Sequence, residues 1–339
     1  MSSSQVIRRE HSFVVASPAM LTSAPKNGRL KVLIPYDGSE SSDTALESLK
    51  RAGLPQELEA LVAVTQVWLP LSPSEITHAV NARRLKLLQS GVCSFVPALS
   101  EHEEQHVLSL EADRRIRSIF PSGTVTTEVM QEMAVGSEIL RKVKRWGADL
   151  IILGAKTSPS PDITDYAGPA IRVARDAHCS VRIARASDEK DEAPVQILIG
   201  VDEAGSTDWV VEAVAERFWP AGSKAKLVAV RRSGPRDAGK EFEPRHALER
   251  QTDRLRATGL EVSFGIKYGQ PHDVILQEAR DVAADSIFID AHGLDHRQSD
   301  GSGNYGLGKV AEAILLGAHC SVEIVRPKNL PEQFLEPAA

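Results

Sequence analysis

The chain has 339 residues, of which 42% are apolar and 25% charged, and this size predicts two globular units at roughly 100–200 residues each. A net charge of −6 argues against non-specific nucleic-acid binding and gives no reason to expect attraction to an anionic membrane. Three cysteines, Cys93, Cys179 and Cys320, are too few and odd in number for a disulfide framework, and no stretch is long and apolar enough to span a bilayer, so the cytoplasm is the expected location.

The first 28 residues are Ser-rich. Arg8-Arg9 precede an apolar run, Phe13-Val14-Val15, that is too short for an export signal, so residues 1–28 are expected to be a disordered arm. Strands are then predicted at 30–36, 58–67, 123–130, 149–154 and 180–185, with helices at 40–52, 101–119, 135–146 and 166–177. A charged stretch without apolar period, 187–194, ends in Pro194 and reads as a linker. Strands return at 195–201, 224–231, 260–267, 285–290 and 321–326, and helices at 206–218, 241–257, 271–282 and 307–317. Residues 328–339 are expected to be a C-terminal tail.

The two halves repeat each other. Ala177-His178-Cys179-Ser180-Val181 returns as Ala318-His319-Cys320-Ser321-Val322, 141 positions later. Leu30 to Asp37 matches Val195 to Asp202 at an offset of 165, and Ile139 pairs with Ile275 at 136. The falling offset assigns extra sequence, about 69–122, to the first copy. Within it, 74–89 and 101–119 have partial helical period, and Val107, Leu110, Ile116 and Ile119 suit one helix face. A longer crossover helix on the sheet explains this segment better than a lid. Domain one is therefore 29–186 and domain two 195–327.

Strand cores such as Val32-Leu33-Ile34 and Ile287-Phe288-Ile289 are continuous rather than alternating, as in parallel strands covered on both faces. Alternating strands and helices then give an α/β fold, with two tandem, doubly wound, parallel five-stranded sheets. In such sheets a ligand sits beyond the carboxyl ends of the strands, at the switch point.

Asp37 follows the first strand in Asp37-Gly38-Ser39-Glu40. It can accept hydrogen bonds from a base or ribose, or it can simply order the turn into the next helix; position alone leaves both open. The fourth strand ends at Gly154, and a polar loop leads to Gly168-Pro169 at a helix start, where free N–H groups favour phosphate. Gly303-x-x-x-x-Gly308-Lys309-Val310 approaches a P-loop, but Val310 replaces the hydroxyl that would hold Mg²⁺ and the loop follows a fourth strand, so a P-loop is not expected. His178-Cys179 and His319-Cys320 alternate across a strand and predict buried thiols, not a shared metal.

These pieces resemble the universal stress protein family over both copies: a first strand ending in Asp then Gly-Ser, a Gly-x-x-Gly…Gly-Ser/Thr stretch between the fourth strand and last helix, and an Ala-x-Cys-Pro-Val-like last strand. The resemblance implies an adenine nucleotide alpha hydrolase-like fold with strand order 3-2-1-4-5, and, in the nucleotide-binding branch, ATP with Mg. It also implies pairing through the last strands, between the halves of one chain or between chains in a homodimer. Carried over by residue, it gives Asp37, Val67, Gly154, Thr157 and Gly168 in the first copy, and Asp202, Val230, Gly293, Gly308 and Lys309 in the second. Thr157 and Pro169 stand at the second-glycine and Ser/Thr places of the first motif. In the second copy, Glu203-Ala204 replace Gly-Ser and Asp290 replaces the first glycine. The Cβ of Thr157, the missing N–H of Pro169 and the charge of Asp290 all disfavour phosphate. Three functions stay open: a nucleotide-free stress-response regulator, an adenine nucleotide sensor using the second crevice, and a nucleotide hydrolase. The last has no identifiable catalytic residues, and the reading is of a protein that is not an enzyme.

Overall fold

A computed structural model describes residues 29–65, 101–130, 135–155, 169–187, 191–201, 208–231, 244–291 and 306–327. In the first half, β1 (Lys31–Tyr36), α1 (Glu40–Ser48) with a short 3-10 turn after it, and β2 (Glu59–Thr65) are followed by α2 (Glu101–Ile119) and β3 (Thr124–Met130). Then come α3 (Val135–Trp146), β4 (Leu150–Gly154), α4 (Pro169–Asp176) and β5 (Ser180–Ala184). The second half runs β6 (Gln196–Val201), α5 (Asp208–Ala215), β7 (Lys224–Arg231), α6 (Pro244–Arg256), β8 (Glu261–Tyr268), α7 (Pro271–Asp281), β9 (Ser286–Asp290), α8 (Lys309–Gly317) and β10 (Ser321–Val325).

The two five-stranded units are continuous in one ten-stranded sheet of order β3-β2-β1-β4-β5-β10-β9-β6-β7-β8. Each half keeps the order 3-2-1-4-5, and every pairing within a half is parallel. The halves join where β10 runs antiparallel to β5, with Val322 opposite Ile183, Glu323 opposite Arg182 and Ile324 opposite Val181.

Burial follows from this layering. Strand cores such as Val32, Leu33, Ile151, Ile152, Leu198 and Ile287 are fully buried because helices cover both faces. On one face a single core crosses the junction, combining Leu33, Ile139 and Val173 with Leu198, Ile275 and Ile314. On the other face each half has its own core, built on Leu46 and Ile116 in the first and on Val211 and Leu248 in the second.

The duplication reaches individual hydrogen bonds. Asp149 and Lys31 exchange two bonds, backbone to backbone at 2.9 Å and Lys31 N–H to carboxylate at 2.9 Å. Asp285 and Gln196 repeat both, at 2.8 and 2.7 Å. The helix before each aspartate ends on a left-handed residue, Gly147 with φ 70° and Ala283 with φ 48°. Glycine adopts that conformation freely, whereas Ala283 carries a strained Cβ.

One expectation for α2 is corrected. Leu110 is not on the buried face with Ile116; it is 49% exposed, while Leu108, Ala112, Ile116 and then Phe120 are buried. That inner row repeats every four residues, and Leu110 lies about 200° around the helix from Leu108. The packed-crossover reading of α2 itself agrees with its buried row. The stretch 74–89, the arm 1–28, Cys93 and the tail 328–339 lie outside the described residues. No helix among the described residues is long and apolar enough to cross a membrane.

Candidate functional site

Two switch points exist, one per half, because β1 and β6 each have strands on both sides whose crossovers run in opposite directions. In the first half, β1 and β4 pair with Val32 opposite Leu150 and Leu33 opposite Ile151, which brings Asp37 and Gly154 to neighbouring carboxyl ends.

Asp37 is half-buried, and its Oδ1 accepts the Ser39 N–H at 2.9 Å. Ser39 in turn caps α1, its Oγ accepting the Ser42 N–H at 3.3 Å. Asp37 thus orders the turn into the helix, and one of its carboxylate oxygens is already used locally.

Gly154 has a packing reason to be glycine. A Cβ built on it would lie 1.6 Å from the Ser41 carbonyl oxygen, in the first turn of α1. The helix entrance therefore presses directly on the end of β4, at the place where the family motif would start its phosphate loop. Val67, Thr157 and Gly168 lie outside the described residues.

Below this entrance sits a buried polar knot. Tyr36 Oη donates to Asp43 Oδ1 at 3.0 Å, and Arg115 of α2 reaches the same oxygen at 2.6 Å. Burial, followed by the nearby Glu111 charge, pushes the Tyr36 phenol up to about 12. The knot fixes α1 against α2 and the sheet, and so fixes the crevice wall. The sequence reading did not single it out, because its members are 79 positions apart along the chain.

In the second half β9 ends in Asp290 where β4 ends in Gly154. The indole N–H of Trp209, in the first turn of α5, donates to Asp290 Oδ1 at 3.0 Å. A tryptophan and a carboxylate thus join helix to strand end in the second half, where the first half ends its strand in a bare glycine. The sequence reading noted Asp290 but not its partner, Trp209, the second residue of α5 and 81 positions away along the chain.

Gly308 precedes α8, and its N–H donates to the Ala291 carbonyl at 2.8 Å, so this backbone donor is spent inside the protein. Lys309 is the first helical residue and is exposed. The amides of the first turn after Gly308 still point out of the helix. Val230 lies one residue before the end of β7, half-buried, and packs on the core shared by both halves. Asp202 and Gly293 lie outside the described residues, as does most of the near-P-loop. Among the described residues no group of three or more His, Cys, Asp or Glu could hold a metal ion. Cys179 and Cys320 are buried free thiols, and burial pushes them up to about 12 and about 11, far from reactivity.

The junction carries a second constellation, one the sequence did not suggest. Arg326, just after β10, donates to the carbonyls of Cys179 at 3.3 Å and Ala174 at 2.8 Å. Arg185, just after β5, does the same to Cys320 at 3.1 Å and Leu315 at 2.5 Å. Each half thus caps the last helix of the other with an arginine, related by the same approximate two-fold as the strands.

Comparison with known proteins agrees with this architecture. Residues 188–326 match the model of the universal stress protein family. A universal stress protein from Archaeoglobus fulgidus DSM 4304 superposes with a TM-score of 0.54 at 17% identity, covering 87% of this chain and 96% of that one, which establishes the fold over both halves. A functionally unknown protein from Pseudomonas aeruginosa PAO1 covers 90% of the chain and 95% of its own, at 15% identity and a TM-score of 0.49. A universal stress protein from Archaeoglobus fulgidus in complex with dAMP is 21% identical over 39% of this chain and 98% of its own, with a TM-score of 0.29. No curated protein matches the chain in sequence.

Proposed function

We propose, for a chain whose second half belongs to the universal stress protein family and whose first half repeats its fold, a non-catalytic binding and regulatory role of the stress-response type in which neither crevice holds the triphosphate of ATP tightly. The observation that carries this reading is Asp290, held by Trp209 at the end of β9. A carboxylate there repels a phosphate chain, and the indole fixes it in place rather than letting it swing away.

Two further features support it. Gly154 is packed against the Ser41 carbonyl, so its bare backbone serves the helix contact. The Gly308 N–H is engaged by Ala291. Both are positions at which the family motif would turn backbone towards phosphate.

The test is direct. Full-length protein purified without added nucleotide is denatured, and the released small molecules are identified by mass spectrometry. The account expects no adenine nucleotide near one per chain, and phosphate release from Mg-ATP no faster than the buffer control. Stoichiometric ATP, or turnover above background, would overturn it.

One observation favours the sensor reading: α8 begins with Lys309 beside the second crevice, and among the described residues no side chain caps its start at Gly308. In that case a Lys309→Ala variant loses most of any ATP-dependent stabilisation, whereas the preferred reading has none to lose.

A further inference from the structure

The two halves enclose a cavity of about 240 Å³ on the α1 side of the β5–β10 junction. It lies away from both crevices, because Asp285, Ser286 and Ser321 in its wall stand at the amino ends of β9 and β10. Thr44, Glu47 and Ser48 of α1 and the adjoining Lys50 and Arg51 form the opposite wall.

Its floor is Arg182, 1% exposed. Nη2 donates to Ser286 Oγ at 2.8 Å, and Nη1 stands 3.6 Å from the Glu323 carboxylate. Neither Nε nor Nη1 of Arg182 makes a hydrogen bond among the described residues. Glu323 must also serve Arg217, with which it forms a close ion pair.

The remaining charges do not balance Arg182. Lys50 pairs with Asp191 at 2.6 Å and Arg51 with Asp285 at 2.8 Å. Glu47 stands 3.4 Å from Arg115, a cation it shares with Asp43. Arg185 also lines the cavity, and its guanidinium is met by the carbonyls of Cys320 and Leu315. A carbonyl accepts a hydrogen bond but does not neutralise a charge. The lining counts four cations, Lys50, Arg51, Arg182 and Arg185, against three carboxylates, Glu47, Asp191 and Asp285, so it keeps one positive charge in excess, with Arg182 donors to spare. Two hydroxyls add to it: Ser286 Oγ accepts from Arg182, and Ser321 Oγ accepts the Arg185 N–H at 3.1 Å, so each keeps its own proton to donate.

We propose that this junction cavity binds a phosphoryl group, as inorganic phosphate or as the phosphate end of a small organic monoester, clasped between the two halves. A tetrahedral dianion matches guanidinium and hydroxyl donors converging from several directions. The volume is below the roughly 300–1,000 Å³ of sites that enclose whole drug-sized ligands, so the cavity takes the anionic group without a nucleoside.

Isothermal titration of the full chain with inorganic phosphate, and separately with glycerol 3-phosphate, at ionic strength held constant with chloride, tests this. The expected result is a saturable heat at one site per chain for at least one of the two. Binding by phosphate alone identifies the free ion, and binding by the ester identifies the organic form. A Ser286→Ala/Ser321→Ala double variant, and Arg182→Met, should each weaken binding at least tenfold. If Arg182→Met does not fold, the serine pair decides. No saturable heat from either ligand, or undiminished affinity in the serine variant, overturns the proposal.

Discussion

At the scale of single residues, the crevice floor is set by atoms too close to tolerate change. Adding a methyl at Gly154 drives a Cβ into the Ser41 carbonyl, and backbone on both sides leaves nothing flexible to yield. Gly154→Ala should destabilise the fold by about 3 kcal/mol, the upper part of the range for overpacking, and denaturant titration would show it. Ala283 offers the opposite case. Its φ of 48° is paid for by strain that its counterpart Gly147 avoids. Ala283→Gly should raise stability by roughly 0.5–1 kcal/mol, although glycine is ordinarily the costlier residue to order. A loss of stability there would show that the left-handed turn after α7 is not strained.

At the scale of elements, the carboxylate of Glu278 ties α7 to two strands at once. It is buried and reaches Lys226 of β7 and Lys267 of β8, each at 2.6 Å. Burial alone would raise its pKa, but the two ammonium groups outweigh it and hold the carboxyl below its usual 4.5. A depressed folded pKa means that the stabilisation is complete above 4.5 and is lost as pH falls through the lower folded value. The difference in stability between native protein and Glu278→Gln should therefore be largest near neutral pH, about 2 kcal/mol, and shrink below about pH 4.5. A difference that stays constant to low pH would contradict the pairing. Where the strands pair across the junction, Arg182, Arg217 and Glu323 act as one buried group. Removing only the acid, as in Glu323→Gln, should cost about 3–5 kcal/mol, because it leaves two cations buried without their partner.

Elements were the part of the molecule most legible in the sequence. The expected bounds fall within two residues of every described strand; the central strands read as continuous apolar runs because both their faces are covered, whereas the edge strands β3 and β8 are largely exposed and mix polar with apolar residues. The helix face of α2 was misread at Leu110, since an exposed leucine is common and periodicity cannot tell it from a buried one. The candidate site was legible only in outline. The chain order showed where the crevices fall, but the roles of Gly154 and Asp290 depend on Ser41 and Trp209, contacts made by a helix folding back over the strand end. No local pattern announces such a contact. The arginine caps at Arg185 and Arg326 were hidden for the same reason: each acts on the other half, more than 120 positions away.

At the scale of the whole molecule, the halves are not beads on a string. One core crosses the junction, the β5–β10 ladder continues the sheet, and the Phe218 N–H donates to the Gly53 carbonyl at 2.9 Å on the opposite face. Unfolding should therefore be a single calorimetric transition, with its van't Hoff enthalpy equal to the total; two resolved transitions would mean that the halves stand alone. The functional account also belongs to this scale, because it concerns what both crevices do together. Its most direct test is the melting temperature of the full chain under a Mg-ATP titration at fixed ionic strength, run beside Asp290→Gly. A ligand present at a thousand times its dissociation constant stabilises by about 4.1 kcal/mol, so tight binding cannot be missed. The account predicts no saturable rise for the native chain and a rise that first becomes measurable in Asp290→Gly. A saturable rise of several degrees in the native chain, unchanged by the substitution, would contradict it.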